Sequence, residues 1–260
     1  MLSRREVPVN RKRIVLAAEV AAGFAVASLA ATPTARAADE DFGEHGVMIA
    51  ADRLLPILDY DSAKTDNSAG GSTTDSRVSF AFGSNGATSL ETFYNLPRLG
   101  FDVVVIPHLT LGGSAWIYTD LSANTTDTPQ TGPSTTTDQA KITYWGFSPR
   151  VGYVIPLASH VLYLWPRAGI SYNNLGTSSV TVDNVTTPGG TLWQVAATVE
   201  AMFVITPWTR HFGFTVGPTV DIPLAGKESS TSTTNGVTTT TSVNETMWQV
   251  GLQAGLVGHF

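Results

Sequence analysis

Apolar and polar positions alternate with a period of two over long stretches of this chain. Around residue 150, Trp145, Phe147, Pro149, Val151, Tyr153 and Ile155 fall on one face, opposite Tyr144, Gly146, Ser148, Arg150 and Gly152. From 162 to 172, Leu162, Leu164, Pro166, Ala168, Ile170 and Tyr172 oppose Tyr163, Trp165, Arg167, Gly169 and Ser171. The same alternation sets Trp193, Val195, Ala197, Val199, Ala201, Phe203 and Ile205 against Gln194, Ala196, Thr198, Glu200 and Met202. It sets Phe212, Phe214, Val216, Pro218, Val220 and Ile222 against His211, Gly213, Thr215, Gly217, Thr219 and Asp221. The last stretch runs Trp248, Val250, Leu252, Ala254, Leu256, Gly258 and Phe260 on one face, with Val257 the one apolar residue among Gln249, Gly251, Gln253, Gly255 and His259. A period of two with one continuously apolar face predicts β-strands. These run well beyond the roughly 5–6 residues usual in soluble proteins.

Two kinds of connection alternate between the strands. Long ones, rich in Thr, Ser, Asn, Asp and Gly, cover 61–75 (with 84–95 a possible extension), 121–139, 174–189 and 224–242. Short ones are Pro107-His108, Leu157-Ala158-Ser159-His160 and Pro207-Trp208-Thr209. Between them lie eight strands, at 46–60, 96–106, 109–120, 140–156, 161–173, 190–206, 210–223 and 243–260. An even strand count, long loops at one end and tight turns at the other are the signature of a transmembrane barrel. The prediction is an all-β, eight-stranded antiparallel up-and-down transmembrane barrel over 46–260, with long extracellular loops and short periplasmic turns. The segment 76–83 also alternates, and an independent strand there would break the parity, so it reads as an extension of the first hairpin. The face assignment of 46–60 stays open.

Aromatic residues recur near both ends of the apolar faces. Trp145 and Tyr153, Trp193 and Phe203, and Trp248 and Phe260 are 8, 10 and 12 positions apart, and Tyr172 joins the set. At ~3.3 Å per residue and a tilt of ~40°, these gaps project to roughly 20–30 Å, bracketing the ~25 Å apolar band between two aromatic girdles.

The N-terminus points to export. Arg11-Lys12-Arg13 precede an apolar stretch from Ile14 to Ala31, and Ala35-Arg36-Ala37 forms an A-x-A cleavage site, the plan of a signal peptide over 1–37. Residues 38–45 then form an acidic periplasmic leader. The remaining 223 residues carry 9 Lys+Arg against 19 Asp+Glu, a net charge of −10, which argues against nucleic-acid binding. The chain has no cysteine, which excludes disulfides, thiolate metal sites and cysteine nucleophiles.

Pro149-Arg150-Val151-Gly152-Tyr153, Trp165-Pro166-Arg167-Ala168-Gly169-Ile170 and the closing Gly255 to Phe260 resemble the small eight-stranded outer-membrane barrels of the OmpA/OmpX type. More narrowly, they resemble its uncharacterised barrel-domain members. The resemblance spans the mature chain and carries no catalytic signature. It implies location in the outer membrane of a Gram-negative bacterium, as a monomer, with outer-membrane lipid, lipopolysaccharide and the barrel-assembly machinery as partners. The terminal aromatic Phe260, with Gly255 and Gly258, corresponds to the assembly signal of such barrels. Gly258 departs from it, because a hydrophobic residue usually stands third from the end.

The polar face carries the one informative charge cluster. Arg150, Arg167 and Glu200 each lie about six residues from the periplasmic end of their strands, so they should meet at one depth inside. Asp102 and Asp221 also point inward. An eight-stranded barrel is just wide enough for side chains to fill it, and unpaired buried charges cost several kcal/mol. A salt-bridged plug is therefore expected, with structural or surface-interaction work left to the loops. The alternatives are a narrow pore for ions or small solutes, a lipid-modifying enzyme and a soluble ligand-binding barrel with inverted faces. No enzyme is expected: the five histidines are scattered, and no H-E-x-x-H, G-x-S-x-G or G-x-x-x-x-G-K motif occurs. No metal, cofactor or catalytic residue is assigned. The Thr-rich runs at 229–236 and 238–241 read either as adhesive surface or as tolerated hydrophilic loop.

Overall fold

The computed structural model describes residues 42–66, 72–80, 96–120, 124–127, 135–158, 161–182, 185–209, 211–234 and 237–260. The expected signal peptide and the first residues of the leader lie outside them. In chain order the strands are β1 (Val47–Asp66), β2 (Ser72–Phe80), β3 (Arg98–Ile106), β4 (Leu109–Thr119), β5 (Asn124–Asp127), β6 (Thr135–Asp138) and β7 (Ile142–Tyr153). They continue with β8 (Ile155–Ala158), β9 (Leu162–Thr177), β10 (Val180–Val182), β11 (Val185–Thr187), β12 (Gly190–Thr209), β13 (Phe212–Thr234) and β14 (Val237–His259).

Eight of these close into a ring, in the order β1-β3-β4-β7-β9-β12-β13-β14, every contact antiparallel. The first and last strands seal it, from Met48↔His259 to Thr65↔Glu245. Ring closure leaves no open strand edge in the wall. The start of β1 and the end of β14 then both sit at the short-turn end, as an even strand number requires. The expected eight-stranded barrel is the observed one.

The long connections differ from expectation in being partly strand. β1 continues to Asp66 and pairs with β2 from Leu58↔Phe80 to Asp66↔Ser72, so 76–80 does extend the first hairpin, while 81–83 lie outside the described residues. β13 and β14 pair as far as Thr234↔Val237, which makes most of the loop expected at 224–242 a ladder. Small hairpins occupy parts of 121–139 and 174–189. The Thr-rich composition explains this, since Thr favours strands without needing burial. Its hydroxyls also pair across the ladder, at Ser229–Ser242 (3.1 Å) and Thr231–Thr240 (3.3 Å). At the other end, Pro207-Trp208-Thr209 closes β12 and Leu157-Ala158 closes β8, in place of the turns expected there.

Alternation places the faces as read. On β7, β9, β12, β13 and β14 the polar set points inward and the apolar set outward. Ile117 and Leu99 are 76% and 66% exposed, whereas Arg150 and Glu200 are 6% and 4% exposed. The face left open, on β1, has a double solution. Between Ala51↔Leu256 and Leu55↔Ala254, four steps on β1 oppose two on β14. Two extra residues bulge there, with Arg53 at φ +54, and both Asp52 and Arg53 are buried.

The interior has three layers. Near the short turns Phe42, Met48, Val154, Tyr163, Trp165, Val204 and Val257 form an apolar cap. Toward the long loops Trp116, Tyr144, Leu175, Leu192 and Met247 form another. The charged residues lie between. Of the periplasmic leader expected over 38–45, residues 42–45 are described, and Phe42 is fully buried in the lower cap. Its ring centre lies 5.2 Å from that of Tyr163 and 5.3 Å from that of His259. The chain that carries it is strapped across the mouth. His108 N donates to Gly43 O (2.7 Å), Val104 N to Gly46 O (3.0 Å), and His259 Nε2 to the His45 carbonyl (2.5 Å).

Candidate functional site

The charged layer is assembled from six strands of the ring. Glu200 on β12 stands directly across from Arg167 on β9. Arg150 on β7 and Asp102 on β3 both stand against Gly112 of β4, from opposite sides. All five expected residues, Arg150, Arg167, Glu200, Asp102 and Asp221, are inside and buried. Three more join them that alternation did not flag: Asp52, Arg53 and Arg98, each at most 3% exposed. Four arginines thus meet four carboxylates, and the layer is neutral as a whole.

Nearly every charge has a partner of opposite sign. Arg150 grips Asp102 with both arms of its guanidinium, Nε to Oδ1 at 3.0 Å and Nη2 to Oδ2 at 2.5 Å, the strong forked geometry. Its Nη1 donates to Asp52 Oδ2 at 2.6 Å. Arg167 bridges Asp52 (3.0 Å) and Glu200 (2.7 Å). Arg53 bridges Glu200 (3.1 Å) and Asp221 (2.7 Å). Asp221 also accepts from Thr198 Oγ1 at 2.5 Å, and Thr198 leads on to Ser171 and Ser148. Glu200 and Asp52 are the hubs, Glu200 shared by three arginines and Asp52 by two. Arg98 is different: its guanidinium stacks 3.9 Å above the Trp116 ring, and Nε and Nη2 have no hydrogen-bond partner.

Packing makes this contact set possible. A Cβ on Gly100 would lie 2.6 Å from Arg150 Nη2 and 2.8 Å from Asp52 Oδ2, so only glycine lets those two meet. The space between Arg98, Ser114, Ser148, Arg150, Thr198 and Glu200 cannot hold a water molecule.

Outside, Trp145, Tyr153, Phe203, Trp248 and Phe260 are exposed on the outer face, and Tyr172 and Trp193 are half-buried there. They form two levels. Trp145 and Trp193 both stand against Asn174, Tyr172 packs on Trp145 (5.4 Å), and Tyr60 packs on Trp248 (5.2 Å). Tyr153, Phe203 and Phe260 sit at the short-turn end, joined by Trp208, Phe212 and Phe214. Of the three terminal positions, Gly255 faces inward beside Thr215 and Gly258 faces outward. Gly258 has a physical reason: a Cβ there would lie 2.9 Å from Phe260 Cε2, so the terminal ring folds back over it.

Above the upper cap, two inward carboxyls face each other. Glu245 is 4% exposed and hydrogen-bonded to Glu228. Burial, and then the neighbouring Glu228 charge, push the Glu245 carboxyl up to about 7. His45, His108, His211 and His259 all lie at the short-turn end, and His160 is outside the described residues.

No protein-family model matches the chain, and no curated protein matches it in sequence. Among solved structures it is similar to Neisserial surface protein A, with 15% identity over 83% of this chain and 97% of that one, at a TM-score of 0.34. It is similar to Ail, the attachment invasion locus protein of Yersinia pestis, with 11% identity over 82% and 99%, at 0.30. It is also similar to the outer membrane protease OmpT of Escherichia coli, with 11% identity over 85% and 99%, at 0.39.

Proposed function

We propose that this chain is an integral outer-membrane barrel with a closed lumen, acting structurally or through its outward-facing surface and loops. One observation carries the reading: the solvent-facing wall is apolar, while the charges are inside, mutually neutralised and capped by apolar side chains at both ends. A soluble ligand-binding barrel needs the opposite faces, because an apolar exterior of this extent is unstable in water. In lipid the same exterior is the favoured one, and a closed ring leaves no backbone group unpaired.

The layered interior favours a scaffold over a pore. Conduction needs a wet path with sites weak enough to release the ion, whereas here Arg53, Arg150 and Arg167 are ion-paired to four carboxylates and the gap between Arg98, Arg150, Arg167 and Glu200 is too narrow for water. The test is planar-bilayer recording of the purified full chain, with fractionation of expressing cells. The expected result is recovery with outer membranes and a silent bilayer. Steady single-channel openings abolished by Glu200→Ala would sink the closed-lumen reading, and recovery as a soluble periplasmic protein would sink the membrane reading.

A further inference from the structure

The β13–β14 hairpin outgrows the wall that carries it. β12 accompanies β13 only as far as Gly190↔Ser230, and β1 accompanies β14 only as far as Thr65↔Glu245. Beyond those points the two strands pair with each other alone, up to Thr234↔Val237. Among the described residues, the β1-facing edge of β14 therefore has no strand neighbour from Val237 to Asn244. Eight residues at ~3.4 Å each make that edge roughly 27 Å long. In an antiparallel ladder successive residues turn their N–H and C=O to opposite sides, so half of these eight present both groups at the edge. Unpaired edges invite strand addition, and proteins usually blunt them with charge, proline, a bulge or shortness. The other edges beyond the wall follow that rule. β2 carries Asp75 and Arg77, β5 and β6 end in Asp127 and Asp138, and β10 and β11 have three residues each. By contrast, Val237-Thr238-Thr239-Thr240-Thr241-Ser242-Val243-Asn244 has no charge, no proline and no glycine. It keeps unbroken register with β13 from Lys227↔Asn244 to Thr234↔Val237. Thr and Val favour strands, and Thr239, Thr240, Thr241 and Ser242 are exposed.

Composition and direction select the partner. The edge is complementary to itself. Two copies running antiparallel set Thr240 opposite Thr241 and Thr239 opposite Ser242, hydroxyl against hydroxyl. Inside the hairpin Thr231 already meets Thr240 (3.3 Å) and Ser229 meets Ser242 (3.1 Å) in the same way. No like charges face each other in that register, although the chain beyond residue 37 is net −10. β14 descends from the hairpin tip to the short-turn end, so copies side by side in one membrane bring their β14 edges together parallel. Copies in two membranes that face each other bring them together antiparallel, the more stable pairing. We propose that the Val237–Asn244 edge of β14 pairs antiparallel with the same edge of a second copy in an opposing outer membrane, joining two cells through a four-stranded ladder. Strand addition of this kind takes its affinity from main-chain hydrogen bonds. The contact is two-fold and isologous, so it closes on a pair and does not propagate. This rests on the membrane reading above and adds the surface and the partner through which the chain acts.

The experiment expresses the full chain in Gram-negative cells that lack it, and scores heat-modifiable gel mobility of the outer-membrane fraction first. The chain has no cysteine, so Ser242→Cys labelled on intact cells by a membrane-impermeant maleimide reports where the hairpin lies. Absence from the fraction refutes the membrane reading itself. A folded but unlabelled chain refutes the outward hairpin alone, and both results are seen before association is measured. Two populations carrying different fluorescent proteins are then mixed and two-colour clusters counted. The expected result is clustering between expressing populations and none with non-expressing cells. Thr240→Lys with Thr241→Lys sets lysine opposite lysine twice across the two-fold axis, and Thr240→Glu with Thr241→Glu does the same with carboxylates. Like charges directly opposite destabilise a ladder, so each double variant should cluster with itself about 5-fold less than wild type. A mixture of the two should recover, lysine now facing glutamate. Thr143→Lys, which adds charge on the exposed face of β7, should cluster as wild type does. Wild-type cells that do not cluster, or that cluster equally with non-expressing cells, overturn the pairing. So do double variants that self-cluster at the wild-type level, or a Lys–Glu mixture no better than either alone. Unchanged gel mobility of the variants separates lost pairing from lost fold.

Discussion

Replacing Glu200 by alanine strips the best-connected carboxylate from the charged layer. Glu200 takes Arg167 at 2.7 Å and Arg53 at 3.1 Å, and Arg150 approaches it at 3.8 Å. Without it the layer holds four arginines against three carboxylates, and Arg53 and Arg167 keep one acidic partner each, Asp221 and Asp52. Breaking a buried pair from one side costs about 3–5 kcal/mol, because the remaining charge stays desolvated. The folding constant should fall by roughly two to nearly four decades. Equilibrium urea unfolding of the full chain in phosphatidylcholine vesicles, followed by tryptophan emission, measures this. Removing Arg167 and Glu200 together, both to methionine, should cost less than Glu200→Ala alone, since a pair replaced by apolar groups leaves less charge stranded. Glu228→Ala, at the mouth, is the control for losing a carboxylate outside the layer. A loss below about 1 kcal/mol for Glu200→Ala, in the range of exposed pairs, would refute the claim that Glu200 is a buried hub of the layer.

Phe42→Ala empties the centre of the lower cap and should cost about 3 kcal/mol, the low end for a buried Phe truncated to Ala. Access of a water-soluble quencher to Trp165 should rise with it, and unchanged quenching would mean that the strap does not seal the mouth. Glu245 gives the chain a pH dependence of definite sign. Its carboxyl is raised from 4.5 to about 7 in the folded chain, so between those values the folded state keeps a proton that the unfolded state has released. Stability is therefore full below about 4.5 and falls as pH rises to about 7. Glu245→Gln should flatten that slope in unfolding measurements between pH 5 and 8, and an unaltered slope would remove Glu245 as its cause.

The barrel was legible because lipid and lumen impose opposite demands on alternate residues, and the strand period writes that contrast into the chain. It put Arg150, Arg167 and Glu200 on one face and at one depth, where the ladder pairs Glu200 with Arg167. Asp52 and Arg53 escaped because they are adjacent, and strict alternation sends one of two neighbours outward. Only a bulge brings both inside, and the adjacent charges were themselves its signal. Phe42 escaped because it precedes the first alternating residue, in a segment whose acidity reads as solvated. The strand ends at the long loops were set too short, because beyond the apolar band Thr and Ser continue the ladder with no inside and outside to distinguish.

The charged layer also bears on how such a barrel comes into being. Its members arrive from β1, β3, β7, β9, β12 and β13, and two pairs are registered neighbours in the ladder, Arg167 with Glu200 and Asp52 with Arg98. Arg150 reaches Asp52 across 98 residues of chain, and Arg53 reaches Asp221 across 168. A sheet lacking β12 and β13 leaves Arg53 without either of its acidic partners and Arg167 without one of its two, and lipid offers no water to replace them. Partial intermediates are disfavoured in the bilayer core, and the free-energy gain is concentrated in the final closing step. On the closed-lumen reading proposed above, the same layer also makes insertion close to all-or-none.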